Sequence, residues 1–194
     1  MKGLYKNDVQ HYMRMKELDK LDTSKVVGKQ EYTSKDTCIN TVSAIYKYIY
    51  APNAKILDYG GGKYDTNAEY MKKKCNADVL VYDPFNRSVE HNNRVRGFFF
   101  NCKAKIVVCS NVLCVIKEDE IIKSVLINIK QLMALDGVLY IKVYERNRSG
   151  IGCVTKKGWQ RNQRTDEYIP LIREVFGMDY NIIKKNGLLI VKHK

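Results

Sequence analysis

Asp58, Gly60, Gly61 and Gly62 stand close together, and Asp83 follows 21 residues after the last of them. Glycine tolerates positive φ and carries no side chain, so a ligand can lie directly against such a backbone. A helix beginning just beyond offers unpaired N–H groups and the positive end of its dipole, which suit a carboxylate or phosphate. A second acid about 20 residues on, at the tip of the next strand, is where a nucleoside ribose is gripped through its hydroxyls. The chemistry these residues suit is recognition of a nucleoside. The glycines alone would be weak evidence for it; the glycines and Asp83 together carry it.

The elements that must position these groups are short. Lys55–Tyr59 reads as a buried strand entering the glycine turn. A helix follows over about Thr66–Cys75, with Lys72, Lys73 and Lys74 in its last turn, where they complement the dipole. Asp78–Tyr82, DVLVY, reads as a second strand ending at Asp83. Pro84 stops it, and Phe85 is placed either to lie against a flat ligand or simply to pack.

A dinucleotide fingerprint, G-x-G-x-x-G, would need a glycine where Asp65 stands. The chain has D-x-G-x-G instead, Asp58-Tyr59-Gly60-Gly61-Gly62. This stretch resembles motif I of the class I S-adenosylmethionine-dependent methyltransferases, and Val81-Tyr82-Asp83-Pro84-Phe85 resembles their second motif. The resemblance runs from about Ala54 to the C-terminus. It implies an α/β, Rossmann-like methyltransferase fold: a mostly parallel sheet with a C-terminal antiparallel β-hairpin. It implies S-adenosylmethionine as cofactor, with Asp58, Gly60, Gly61, Gly62, Asp83, Phe85 and Ser110 around it and Asn101 near the adenine amino group. No metal is implied, because the methyl donor arrives already activated.

Before this region, Lys6–Leu21 allows an amphipathic helix, and Gly28 and the polar stretch to Ser34 read as a break. Residues 1–35 are therefore expected to form a helical extension and residues 36–194 the methyltransferase domain. Ser34 or Asp36 can cap a second helix with Ile39, Val42, Ile45, Tyr46 and Ile49 on one face, ended by Pro52. In the resembling family such a helix lies on the sheet and partly covers the cofactor. After Asp83, a third strand is expected at Gly97–Phe100, with its preceding helix missing or reduced to a turn. Lys105–Ser110 is a buried strand, Lys117–Leu135 a helix stopped by Asp136-Gly137, and Val138–Tyr144 the next strand. Asp166–Phe176 reads as a helix. Met178–Ile183 and Leu188–Val191 read as strands of a hairpin about a Lys184–Gly187 turn.

Ligands in open α/β sheets bind beyond the carboxyl ends of the strands. That edge collects Asp58, Gly60, Gly62, Asp83, Ser110, Asn111, Tyr144 and Glu145, of which Asn111 and Glu145 are the candidates for catalysis. The segment Ser110-Asn111-Val112-Leu113 lacks the [DNS]-P-P-[YFW] signature of amino-directed DNA methyltransferases, and no Pro-Cys nucleophile is present. Its S-N-V-L-x-V-I shape is similar to that of small phage and bacterial methyltransferases.

The net charge of +13 favours an acidic partner, nucleic acid first. The long segment Glu145–Arg164 carries Arg146, Arg148, Lys156, Lys157, Arg161 and Arg164 against Glu145, with Trp159 among them, and shows no convincing periodicity. It suits first a solvated loop with Trp159 packed on the domain; a loop that tracks phosphates through residues 146–164 is the alternative. The six cysteines form no C-x-x-C pair and have no histidine at zinc spacing, so a reduced, cytoplasmic protein is expected. No apolar run approaches the ~20 residues of a membrane span. His11, His91 and His193 read as surface residues. An active methyltransferase with an unassigned acceptor is the leading reading; a non-catalytic module binding S-adenosylmethionine or nucleic acid is the alternative.

Overall fold

The apolar runs become strands where the alternation of their side chains lets both faces of a sheet be covered. The computed structural model describes residues 40–156 and 158–194. The expected helix over Lys6–Leu21, and the division at residue 35, lie outside the described residues. Strands β1 (Lys55–Tyr59), β2 (Asp78–Tyr82), β3 (Ala104–Ser110) and β4 (Met133–Lys142) run parallel, and β7 (Tyr180–Lys185) and β8 (Leu188–His193) join as an antiparallel hairpin. The six-stranded order is β2-β1-β3-β4-β8-β7. A separate two-stranded ribbon, β5 (Cys153–Thr155) with β6 (Gly158–Gln160), lies inside the basic segment, where no regular structure was expected. The β7–β8 turn uses Asn186 and Gly187, both with positive φ, as a tight hairpin turn requires.

Helices cover both faces. On one, α2 (Val89–Cys102), α3 (Asp119–Leu132) and α4 (Ile169–Phe176) bury Val95, Phe99, Ile122, Leu126, Ile172 and Phe176 against Leu57, Val107, Leu139 and Val191. On the other, α1 (Thr66–Cys75) and a 3-10 helix (Ala44–Tyr48) bury Met71, Ile45 and Tyr46 against Ile56, Val79 and Val108. Within the described residues the expected second helix is reduced to this 3-10 turn: residues 40–43 before it and 49–51 after it are not helical. It is pinned by Lys74, whose ammonium donates to the carbonyls of Tyr46, Lys47 and Ile49. The end of the lysine run therefore has a partner more specific than the helix dipole.

Two expectations are corrected. No strand forms at Gly97–Phe100; the segment belongs to α2. Ser88 caps that helix by accepting from the His91 N–H, and Asn92, Val95 and Phe99 make its buried stripe at helical spacing. In the Phe98-Phe99-Phe100 run only Phe99 is fully buried, which by itself a strand would also show; the spacing to Asn92 and Val95 is what marks the helix. The long helix ends at Leu132, and Asp136-Gly137 lies within β4. A Cβ on Gly137 would fall 2.8 Å from the Ala134 carbonyl oxygen and 2.9 Å from that of Ala104. The glycine thus serves the irregular register between β3 and β4 and not a helix stop.

Because the sheet lacks a third strand on that side, β2 is its edge among the described residues. Side chains of α2 cover this edge. The Nε2 of His91 lies 2.7 Å from the Val81 carbonyl oxygen, and Asn92 bonds both the N–H and the carbonyl of Asp83. His91 is therefore a half-buried cap and not the surface residue its isolation in sequence suggests.

Candidate functional site

Four parallel strands direct their carboxyl ends to one edge, and the two acids stand there. Asp83 is buried at the end of β2. Its Oδ2 accepts from the Gly62 N–H at 2.8 Å, and its Oδ1 from the N–H groups of Phe85 and Asn86, both at 3.0 Å, and from the Asn86 amide at 3.1 Å. Asp-Pro-x-Asn is a turn-forming order in which the first carboxylate receives the next free amides. Most of the carboxylate's roughly four acceptor positions are taken, with the vacancy on Oδ2. Arg87 completes the tie between the two motifs: its guanidinium donates to the Gly62 carbonyl at 2.8 Å and to Asp65 at 2.7 Å.

Asp58 is buried at the end of β1, on the face covered by α1. Asn67 of α1 donates to its Oδ2 at 3.2 Å and accepts the Ser43 N–H at 2.9 Å, and the Ser43 hydroxyl meets that of Ser110 at 3.2 Å. The Tyr46 hydroxyl is buried against the carboxylate but outside hydrogen-bonding geometry. Burial, the largest cause, pushes the Asp58 carboxyl up to about 6; Asp83 adds to the rise, while Asn67 and Arg87 restrain it.

A carboxyl whose pKa is higher folded than unfolded, where it is ~3.9, binds its proton more tightly in the native state. Its contribution is most favourable below the unfolded pKa and declines as pH rises through the folded value of about 6. Above that, the buried carboxylate costs on the order of 3 kcal/mol. Asp58→Asn is therefore expected to raise the urea midpoint clearly near pH ~8 and little near pH ~4. A difference independent of pH would show that Asp58 ionises like an exposed carboxyl.

The glycines have distinct reasons to be glycine. Gly60 has φ +82°, and a Cβ there would fall 2.3 Å from Cγ2 of Val112. At Gly61 a Cβ would fall 2.6 Å from the Asp58 carboxylate and 3.0 Å from Val81. Gly62 has φ +79° and presents its N–H to Asp83.

The remaining candidates divide. Phe85 is half-buried beside Asp83, and Ser110 ends β3 within the Ser43–Asn67–Asp58 chain of hydrogen bonds. Asn111, exposed, holds φ +60° with its N–H donated to the Lys142 carbonyl, at the same edge. Glu145 accepts from the N–H and hydroxyl of Thr165 at 2.8 and 2.6 Å and pairs with Arg148 at 2.7 Å. The Thr165 bonds, with Arg148, hold its carboxyl below the usual range, which makes it a tether for the loop and a poor proton acceptor.

Asn101 does not join them. It lies in the last turn of α2 with its amide on the Gly97 carbonyl, next to the start of β3 and so at the opposite edge of the sheet. Its expected place rested on a third strand that is instead helix. Arg87, Asn67, Ser43, Tyr46 and Val112 are the site neighbours that sequence reasoning missed; of these only Arg87, four residues past Asp83, carried a signal in its charge.

In the basic segment, Arg161 is committed internally. Its guanidinium bonds Asp119 at 2.5 Å, Gln163 at 2.8 Å and the carbonyls of Ile116 and Lys117. Trp159 packs so closely on Gly152 that a Cβ there would fall 2.3 Å from its ring.

Comparison with known proteins agrees with this fold. The family Methyltransf_23, a methyltransferase domain, matches residues 30–187. A sequence search of the curated proteins gives no match. Among solved structures, the chain is similar to the 1,6-didemethyltoxoflavin-N1-methyltransferase of Burkholderia thailandensis, with TM-score 0.55 and 15% identity over 92% of this chain and 89% of that one. Streptomyces venezuelae DesVI matches with TM-score 0.51 and 12% identity over 77% and 89%. The pyocyanin biosynthetic protein PhzM matches with TM-score 0.51 and 11% identity over 77% of this chain and 53% of that one. The chain thus spans about half the length of some of the structures it matches. With a match over most of its length, the chain belongs to the methyltransferase-domain family, and its fold is that of the class I S-adenosylmethionine-dependent methyltransferases.

Proposed function

We propose that the chain is an active methyltransferase that takes its methyl group from S-adenosylmethionine and delivers it to a nucleic acid. The observation that supports donor binding is the buried Asp83 carboxylate, tied by the Gly62 N–H to the glycine turn and keeping acceptor capacity on Oδ2. Such a group suits a ribose hydroxyl. Asp58 fits a cationic group nearby, since a positive charge would relieve the cost of its buried ionisation. Phe85 is placed beside Asp83 to flank a flat base, and Ser110 stands at the same edge.

The donor supplies a sulfonium methyl, an electrophile that needs no further activation. The chain's own residues have then to bind, align and keep out water, which is where most of the rate gain in a displacement of this kind arises. Asp58, the glycine turn and Asp83 would hold the donor, whose chemistry would be in-line transfer of the methyl with the electron pair of the broken bond left on sulfur, and the acceptor's proton would pass to solvent. Asn111 is the candidate for orienting the acceptor; Glu145, held by Thr165 and Arg148, supports the loop beside it.

Nucleic acid is supported by the net charge of +13 and by a basic loop that leaves the site edge at the end of β4. A second reading, a small planar acceptor, is favoured by the internal commitment of Arg148 and Arg161, which leaves fewer cations for phosphates. A labelled-methyl assay over DNA, RNA and small-molecule fractions separates the two. If nucleic acid is the acceptor, log K for binding should fall against log salt with a slope near −0.7 to −0.9 per phosphate neutralised. Replacing Lys156, Lys157 and Arg164 with Ala should flatten that slope and leave cofactor affinity unchanged. Arg161 is left out of the set, because its loss would unfasten the loop from Asp119. Absence of nucleic-acid binding at low salt would hand the assignment to the small-molecule reading.

A further inference from the structure

We infer that Arg87 is a positioning residue for the methyl donor, holding the glycine turn in the shape that the donor meets. The inference rests on the donor reading above and extends it to a residue outside both motifs. Both main-chain polar groups of Gly62 are bound by the segment that follows β2: the N–H by Asp83 at 2.8 Å, the carbonyl by Nε of Arg87 at 2.8 Å. The second arm of the guanidinium reaches Asp65 at 2.7 Å, just before α1. The Arg87 main chain is fixed in turn, its N–H donating to the Asp83 carbonyl at 3.1 Å and its carbonyl accepting from Asn92 at 3.3 Å.

The Arg87 side chain is 14% exposed and its partner Asp65 is 62% exposed. The arginine is thus held inside while the acid faces solvent, an arrangement in which the ion pair adds little by itself. The consequential bond is the one to the Gly62 carbonyl, because it sets the rotation of a glycine at φ +79° that could otherwise take many conformations. A guanidinium can bond two acceptors through its fixed fork; a lysine ammonium is a single flexible point charge and does this less well. Arg87 also lies close enough to Asp58 to favour its ionised form.

The test is titration calorimetry of the full chain with S-adenosylhomocysteine, paired with amide exchange at Gly62 and thermal unfolding. Arg87→Ala should weaken binding about tenfold or more, and speed exchange at Gly62 beyond any change at core amides. Arg87→Lys should recover part of the affinity, and Asp65→Asn should cost less than Arg87→Ala. If Arg87→Ala does not fold, Arg87→Lys carries the test, with weakened binding and faster Gly62 exchange expected, while Asp65→Asn, which leaves the bond to the Gly62 carbonyl in place, should stay close to wild type. Wild-type affinity and wild-type Gly62 exchange in a folded Arg87→Ala, or in Arg87→Lys, overturn the inference. A wild-type chain that binds no S-adenosylhomocysteine overturns the donor reading itself, and the inference with it.

Discussion

Asp83→Ala is expected to weaken binding of S-adenosylmethionine and S-adenosylhomocysteine by about 10–100-fold or more. Hydrogen bonds to a charged group contribute ~1.5–3 kcal/mol each, and ~1.4 kcal/mol is tenfold in affinity. The structure adds a second loss. The same carboxylate satisfies the N–H groups of Gly62, Phe85 and Asn86, so its removal strands a buried amide at Gly62 and two half-buried ones. A stability loss of ~1–3 kcal/mol is expected alongside. Asp83→Asn keeps the size and one acceptor oxygen for the Phe85 and Asn86 N–H groups but sets its amide NH2 against the Gly62 N–H, so stability should be only partly restored and affinity still reduced. Calorimetry and urea unfolding of both variants check this. Unchanged affinity in a folded Asp83→Ala would remove the ribose assignment.

Gly60→Val is expected to abolish cofactor binding, and to do so through the protein's own packing. The backbone sits at φ +82°, which costs a non-glycine residue ~1–2 kcal/mol and a β-branched one more. The added Cβ would also fall 2.3 Å from Cγ2 of Val112 and so displace the turn after β3 that carries Ser110 and Asn111. Two strands' worth of site residues would move together. Gly62→Val, at φ +79°, should lose binding by misaiming the N–H given to Asp83. Normal binding by either variant, measured by calorimetry, would make the turn merely structural.

The glycine stretch shows how far sequence reasoning reaches. Its position between a buried strand and a helix was legible, because apolar runs, glycine and periodic polarity are local signals. Its reason was legible only in part. Room for a ligand was the expected cause, yet at Gly60 and Gly61 the space is filled by Val112 and by the Asp58 carboxylate, partners remote in sequence or visible only once the chain has turned. The positions of the strands were likewise readable from their apolar runs, whereas their parallel order was implied only by the family resemblance. Helix α2 was not: Phe98-Phe99-Phe100 looks like a strand, and only the tertiary burial of Asn92, Val95 and Phe99 shows the helical period. That error carried Asn101 into the site. The Asp83 cage was half-readable from Asp-Pro-x-Asn, whereas the Arg87 bridge to Gly62 spans 25 residues and leaves no local trace.

The way β2, the edge strand among the described residues, is covered bears on how the chain reaches this state at all. An open strand edge offers unpaired carbonyls and amides as a template on which another chain can add a strand. Here the Val81 carbonyl and the main chain of Asp83 are occupied by His91 and Asn92, residues of the helix that follows β2 within ten residues. The cover is thus contributed by the segment synthesised immediately after the strand it protects. A nascent or refolding chain can close that edge before β3 pairs on the far side of β1, so intermolecular strand exchange has to compete with a nearby helix and not with a distant one.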